Sequence, residues 1–297
     1  MSASESLSAR LATGRILIAP AIADPLAAVI AESTGIEALE IGGYAMGAQM
    51  AVTEPLLSVS DVAECVRRIR AATKLPLIVD GGAGWGEPLH VMHAIRVLET
   101  AGANAIHIED QRYPKRAHYH KGVEEVIASS EMVAKIRAAL DARRTPETLI
   151  IARTDAMRTG GYEEGIARAR VYVEAGADMV MLFPNSLDET IRAPRELPRC
   201  RLVYVNSEGN YFDRPVVSAQ RLESAGWHVV VNSSACTLAA SEALSRALTA
   251  LQETGMTAAD PHEAASQRRH VEMLIGLPAM YAVEENTVTA ATSEEVA

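Results

Sequence analysis

Aromatic side chains are scarce. Two Trp, two Phe and eight Tyr amount to 4% of a 297-residue chain, so rings cannot fill the core and Ala, Val, Ile and Leu must. That composition favours α/β packing, in which branched aliphatics fill parallel strands. Cysteine is nearly missing too. Cys65, Cys200 and Cys236 stand far apart with no CxxC pair, which excludes zinc spacing and a disulfide framework and fits a reducing cytoplasm. No basic stretch tracks a phosphate backbone and the formal net charge is −10, so nucleic acid is excluded as a partner. No apolar run reaches the roughly 18 residues of a membrane span. The opening segment MSASESLSARLATGR has neither a basic region nor a long apolar one, so no signal peptide is expected. What remains is a cytoplasmic enzyme.

Hydrophobic residues make up 48% of the chain, enough for a full core in one large domain or two small ones. The apolar residues fall into short runs separated by helical patterns. Strands are expected over 15–21, 38–41, 77–80, 105–109, 148–153, 178–183, 201–205 and 228–231, spaced by roughly 30 residues. Between them lie helices such as DPLAAVIAESTG from Asp24, 61–71 opened or capped by Asp61, 130–143, 162–175, 189–197 and 218–225. Met46 to Ser58 has no clean period and reads as a mobile segment. Gly102 and Gly176 sit in AGA turns that stop helices. Eight strand–helix units predict a (β/α)8 TIM-type barrel over residues 1–256. An open doubly wound sheet is the rival, and no GxGxxG follows the first strand in its support. Residues 257–297 lie beyond the eighth unit and carry one amphipathic segment, HVEMLIGLPAMYAVEENTV. An apolar helix outside a complete barrel predicts packing on a neighbouring subunit, hence an oligomer.

In such a barrel the loops after the strands form the active site. Those positions hold Gly42, Gly43 and Tyr44; Asp80, Gly81 and Gly82; Glu109 and Asp110; Lys115 to His120; Arg153 to Asp155; Pro184 and Asn185; Asn206 to Glu208; and Asn232 and Ser233. Asp80 and Glu109 end two successive strands, and parallel strands bring such ends to one side. Two carboxylates there offer oxygen ligands to Mg²⁺ or Mn²⁺. Arg153 suits a bidentate grip on a substrate carboxylate. Gly42 and Gly43 offer backbone N–H groups to an anion. Lys115, His118 and His120 are proton donors or acceptors. Asn206 and Glu208 end strand seven and are expected to touch substrate. His107 lies inside a strand and is expected to be a satisfied core histidine.

The motifs together resemble the isocitrate lyase and phosphoenolpyruvate mutase superfamily. The resemblance rests on Asp80-Gly81-Gly82-Ala83-Gly84-Trp85-Gly86, on His107-Ile108-Glu109-Asp110-Gln111, on Pro114-Lys115-Arg116 and on Ile151-Ala152-Arg153-Thr154-Asp155-Ala156. It covers nearly the whole chain. It implies a tetramer with a helix swapped between subunits, Mg²⁺, and small 2-oxo or 2-hydroxy carboxylate substrates handled through an enolate. It makes Asp80 and Glu109 the metal-holding acids, Gly42 and Gly43 the carboxylate-binding segment, Arg153 a substrate-binding arginine, Lys115 a gating-loop lysine and Glu54 an acid near the metal. Three positions depart from the family pattern. Its second acid in D-x-D is Gly82, its loop cysteine is Ala117, and its strand-six acid is Pro184 or Asn185. His118 or Tyr119 is left to move the proton. The expected activity is Mg²⁺-dependent carbon–carbon cleavage. Phosphorus–carbon chemistry and a ligand-binding barrel without catalysis are the alternatives.

Overall fold

A computed structural model describes residues 6–121, 125–210 and 214–289. Eight parallel strands occur in the order β1-β8-β7-β6-β5-β4-β3-β2. They are β1 Leu17–Pro20, β2 Leu39–Ile41, β3 Leu77–Asp80, β4 Ala105–Glu109, β5 Leu149–Arg153, β6 Met179–Leu182, β7 Arg201–Asn206 and β8 Val229–Asn232. Between β1 and β2 the closure is narrow: a parallel bridge joins Ala21 to Glu40, and Ile22 N–H donates to the Glu40 carbonyl at 2.9 Å. This is the expected (β/α)8 barrel, closed at its last seam by residues just past β1.

The strands are nearly all aliphatic because both of their faces are buried. Ile78, Ala105, Leu149, Ile151, Met179, Val203 and Val229 point into the barrel and form one interior cluster. Leu7 and Leu11, from the helix Leu7–Ala12, join that cluster. The alternate residues face the helices. Helix Pro88–Ala101 buries Val91, Ala94, Ile95, Leu98 and Ala101, and full burial of each Val, Ile or Leu there is worth about 1.5–3 kcal/mol. It stops at Gly102, whose φ of 114° is left-handed and costs glycine nothing. Helix Val59–Ala72 opens with a capping box in which Ser58 is the cap and Asp61 returns the bond to the Ser58 N–H at 2.8 Å. Asp61 therefore supports the cap from inside the first turn.

The expectation of a mobile stretch between Met46 and Ser58 is corrected. Gly43–Gln49 is an α-helix and Glu54–Leu56 a 3-10 turn. Val52 N–H donates to the Gly47 carbonyl at 2.9 Å, and a Cβ on Gly47 would lie 2.9 Å from the Val52 carbonyl oxygen. A reversal this tight, with Met46 and Leu57 buried, is too short for any hydrophobic period to register. It delivers Glu54 to the C-terminal ends of the strands.

The chain divides after Ala239 into two compact units. The second contains helices Pro261–Leu274 and Leu277–Glu284. Of the extension read from the sequence at 257–297, residues 290–297 lie outside the described residues.

Candidate active site

Asp80 ends β3 with both carboxylate oxygens held by backbone. Oδ2 accepts from Gly43 N–H at 3.0 Å and Oδ1 from Gly82 N–H at 2.8 Å. Burial alone would raise the Asp80 carboxyl, but His107, Lys115 and Arg153 and the Gly82 N–H hold it well below the ordinary carboxylate range. It is a carboxylate at every working pH. The two glycines after it are explained by backbone geometry. A Cβ on Gly81 would lie 2.8 Å from the His107 carbonyl oxygen, and Gly82 has a φ of +49°, a region that glycine enters freely.

Glu109, at the end of β4, is fully buried between two cations. Arg153 Nη1 lies 3.1 Å from Oε2 and Lys115 Nζ lies 3.0 Å from Oε1. Lys115 donates to Oε2, while Oε1 accepts no hydrogen bond. Burial raises the Glu109 carboxyl, and Lys115 and Arg153 oppose that rise. Arg153 in turn forks onto Asp155, Nε to Oδ2 at 3.1 Å and Nη2 to Oδ1 at 3.2 Å. Asp155 is steadied from behind by Gln111 at 2.9 Å, and its backbone N–H by Asp110 at 3.1 Å.

Glu54 brings the loop after β4 onto this set. Lys115 Nζ and the Tyr119 hydroxyl both donate to its carboxylate. Burial, then Glu54, push the Tyr119 phenol far above its ordinary value, so at rest it is protonated and donates to Glu54. Burial lowers His120, which leaves a neutral imidazole able to accept a proton. The Tyr119 and His120 rings lie 4.0 Å apart.

The cavity these groups line holds about 300 Å³, at the small end for a ligand pocket. Gly42, Gly43, Tyr44, Glu54, Asp80, Tyr119, His120 and Arg153 form one wall. Phe183, Ser207, Glu208, Arg214, Ser233 and Ser234 form the other. Lys115 closes a smaller adjoining pocket with Glu54, Asp80 and Gly82. A Cβ on Gly43 would lie 2.6 Å from Glu54 Cγ and 3.0 Å from Asp80 Oδ2, so this floor admits glycine alone.

Two residues named from the sequence are not brought to the cavity. His118 is exposed on the outer side of the short 3-10 turn Ala117–Lys121, while His120 lines the wall. The Asn206 amide is engaged with the chain that follows β7, accepting from Val217 N–H and donating to its carbonyl, each at 2.9 Å. Its place at a strand end serves a cross-link. Glu208 lines the rim and is exposed. His107 is only half satisfied. Nε2 meets Glu40 at 2.7 Å, whereas Nδ1 stands 3.6 Å from Asp80 Oδ1 without a hydrogen bond.

Sequence reasoning missed Glu40, Arg158 and Arg214. Glu40 carried a readable signal, a lone acid inside the apolar strand Leu39–Ile41. Arg158 lies one helical turn beyond the Arg153–Ala156 motif. Arg214 reaches the cavity from the far end of the loop after β7, and nothing local marks it.

The donor set suits a divalent cation of the Mg²⁺ kind. Among the described residues no cluster of three or more His, Cys, Asp or Glu side chains is arranged around one point. Mg²⁺ does not need one: it takes one or two carboxylates and fills its other positions with water and substrate oxygens. An ionised Asp80 and the Oε1 of Glu109, which accepts no hydrogen bond and lies beside Lys115, meet that requirement.

The sequence family described as phosphoenolpyruvate phosphomutase matches residues 7–252. The chain is 36% identical to 2-methylisocitrate lyase of Aeropyrum pernix over 217 residues, 73% of this chain and 69% of that protein. It is 32% identical to 2,3-dimethylmalate lyase of Eubacterium barkeri over 252 residues, 84% of this chain and 86% of that one. A phosphonopyruvate hydrolase solved with oxalate and Mg²⁺ shares the fold with a TM-score of 0.84 and 28% identity, over 97% of this chain and 100% of the other. Matched along most of its length in sequence and in fold, the chain belongs to the phosphoenolpyruvate phosphomutase family, within the isocitrate lyase/PEP mutase superfamily.

Proposed function

We propose that the protein is a Mg²⁺-dependent carbon–carbon lyase acting on a 2-hydroxy- or 2-oxo-carboxylate through an enolate. The observation that carries this is that Asp80 and Arg153 line one small cavity, with the buried Glu109 paired to Arg153 at 3.1 Å. A divalent cation there, Mn²⁺ serving as well as Mg²⁺, would draw charge from the enolate oxygen. Asp80 and Glu109 are the residues that would hold it. Arg153 and the first-turn N–H groups of the helix Gly43–Gln49 that follow Gly43, whose own N–H is held by Asp80, would face the substrate carboxylate.

The proton work falls to the loop after β4. His120 takes the proton from the substrate hydroxyl as the C–C bond breaks. The electron pair of that bond becomes the enolate, and the Tyr119 hydroxyl protonates its carbon. The proton on His120 then returns to the Tyr119 oxygen, and the pair is restored. Lys115 fixes Glu54, which aims the Tyr119 hydroxyl. This assigns to Tyr119 and His120 the proton transfer first assigned to His118 or Tyr119. Incubation with substituted malates and Mg²⁺, read for pyruvate, oxalate and glyoxylate, tests the reading. Silence across the series counts against it.

Ala117 in place of the loop cysteine keeps a second reading open, cleavage or rearrangement of a phosphorus–carbon bond. Phosphonopyruvate turnover followed by phosphorus NMR separates the two, and an unchanged spectrum removes the second. Absence of Mg²⁺-dependent oxalate binding by calorimetry supports instead a barrel that has lost catalysis.

We also read residues 257–297 as packing on a neighbouring subunit, with a tetramer as the assembly. Met273, Ile275, Met280 and Val283 are more than half exposed, and large apolar side chains grouped like this mark contact surfaces. A monomer in sedimentation at micromolar concentration overturns that reading. The cysteines Cys65, Cys200 and Cys236 are all free thiols, which agrees with a cytoplasmic setting.

A further inference from the structure

The Lys115 ammonium sits between Glu109 and Glu54. It comes from the loop after β4, and its side chain is 6% exposed. Nζ stands 3.0 Å from Glu109 Oε1, donates to Glu109 Oε2 at 3.3 Å and donates to Glu54. It also lies 4.1 Å from the centroid of the Tyr119 ring. Glu109 itself is fully buried and lines neither the main cavity nor the smaller pocket beside it. Two cations cover it. Arg153, which lines the main cavity, is 3.1 Å from Oε2. Lys115, which lines the smaller pocket with Glu54, Asp80 and Gly82, stands beside Oε1. That pocket measures about 40 Å³, room for an ion and little else. Oε1 accepts no hydrogen bond, so it is the oxygen that Glu109 has left to give.

A divalent cation and the ammonium contend for that oxygen. Mg²⁺ bonds a carboxylate oxygen at about 2.0–2.1 Å, inside the 3.0 Å at which Lys115 already stands. Like charges that close repel strongly in a buried site. We infer that Lys115 competes with the divalent cation for Glu109. The ammonium is the acid's own counter-ion on the side of the smaller pocket, and the cation reaches Oε1 only as Nζ leaves it and stays on Glu54 alone. The competition is reciprocal: the cation loosens Lys115 from Glu109 by the factor by which Lys115 weakens the cation. Glu54 keeps its lysine throughout, and with it the aim of the Tyr119 hydroxyl. Lys115 therefore sets the cation affinity of the site without being a ligand. This rests on the reading of Asp80 and Glu109 as the cation-holding pair.

Mn²⁺ alone tests it, with the full chain, no substrate, and the free ion counted by electron paramagnetic resonance. Displacing a charge-assisted hydrogen bond costs about ten- to a hundredfold in affinity. Lys115→Met is expected to bind Mn²⁺ tighter than wild type by that factor. Lys115→Gln keeps a donor for Glu54 without the charge and is expected to tighten binding in the same direction, so the test stands even where the methionine variant does not fold. Lys115→Arg keeps the charge and is expected to bind no tighter than wild type. A lysine that only braces the loop after β4 would leave Mn²⁺ affinity unchanged or lower on its removal. Either result in a folded neutral variant overturns the inference, and so does equal tightening in Lys115→Arg. Asp80→Asn added to the neutral variant is expected to erase the gain. A gain that survives it, or no Mn²⁺ bound by any of these proteins, overturns the reading of Asp80 and Glu109 as the cation site and the competition with it. Binding that depends on Asp80 but is equal in wild type and the neutral variants overturns the competition alone.

Discussion

Glu109 and Arg153 are paired twice. They are register partners on β4 and β5, and their side chains meet with Nη1 3.1 Å from Oε2. The strand hydrogen bonds thus fix the Cα atoms that the ion pair needs, and the pair tolerates no register slip. Arg153 also forks onto Asp155 two residues on. One guanidinium therefore bridges acids on β4 and after β5, on the floor of the cavity. It holds the Asp155 carboxyl down and opposes the rise that burial imposes on Glu109.

Arg153→Lys tests that geometry. An ammonium is a point charge and cannot fork onto Asp155 while reaching Glu109. The variant is expected to fold with reduced stability and to lose about ten- to a hundredfold in Mg²⁺-dependent oxalate affinity. Arg153→Met, which leaves two buried acids without their cation, is expected to cost about 3–5 kcal/mol in denaturant unfolding. Equal stability of the two variants would show that the charge of Arg153 contributes nothing.

Asp80→Asn removes an acid that its surroundings hold firmly ionised. Oxalate binding in Mg²⁺ is expected to weaken by about ten- to a hundredfold, and the rise in melting temperature that Mg²⁺ and oxalate give together is expected to vanish. In Glu109→Gln the same loss is expected, while Lys115 and Arg153 lose a partner and the apo protein melts earlier. Undiminished Mg²⁺ dependence in both variants rules out this pair as the cation site.

His120 and Tyr119 are separable by pH. Burial lowers His120, so the acid limb of the turnover profile is expected below the ordinary histidine value of about 6.5. His120→Gln is expected to remove that limb and to slow turnover by about 10²–10⁴. Tyr119→Phe is expected to slow turnover while the limb stays. A limb unchanged in His120→Gln assigns it to another group.

The strands, the barrel and the acid pair were legible in the sequence because each rests on a local pattern. Short aliphatic runs at even spacing, each ending in a polar residue, leave few folds open. The second wall was not legible. Arg214 reaches the cavity from a loop and Arg158 from the four-residue helix Ala156–Thr159, too short for any period to describe. His118 and His120 are alike as residue types, and only the course of the 3-10 turn decides that the latter faces inward. Asn206 is placed differently. Its place at a strand end suggested substrate contact, while its amide serves the backbone at Val217.

Asp155 links the site to acid stability. Burial would raise its carboxyl, but Arg153 and Arg158 hold it at about 2, below its ordinary value of 3.8. A depressed folded-state pKa means that the unfolded chain takes up the proton first. The contribution, on the order of 2 kcal/mol, is therefore present above about pH 4 and is lost as pH falls toward 2. Denaturant midpoints between pH 5 and 2 are expected to fall less steeply in Asp155→Asn than in wild type, from a lower starting stability. Parallel slopes would place the acid sensitivity elsewhere.

Gly43→Ala makes the sharpest demand on the floor of the cavity. The added methyl would stand 2.6 Å from Glu54 Cγ and 2.8 Å from Glu54 Cδ, nearer than carbon atoms pack. Glu54 is the atom group with freedom to move, since it hangs from a short 3-10 turn while Asp80 is held by two backbone N–H groups. Displacing it releases Lys115 and the Tyr119 hydroxyl together. The barrel core is untouched, so the loss of stability is expected to stay within about 1–3 kcal/mol, the usual cost of overpacking. Turnover is expected to fall as far as in Tyr119→Phe, and combining the two changes is expected to cost little more than either alone, because both act on one proton donor. Additive losses in that double variant would mean that Glu54 does not aim Tyr119.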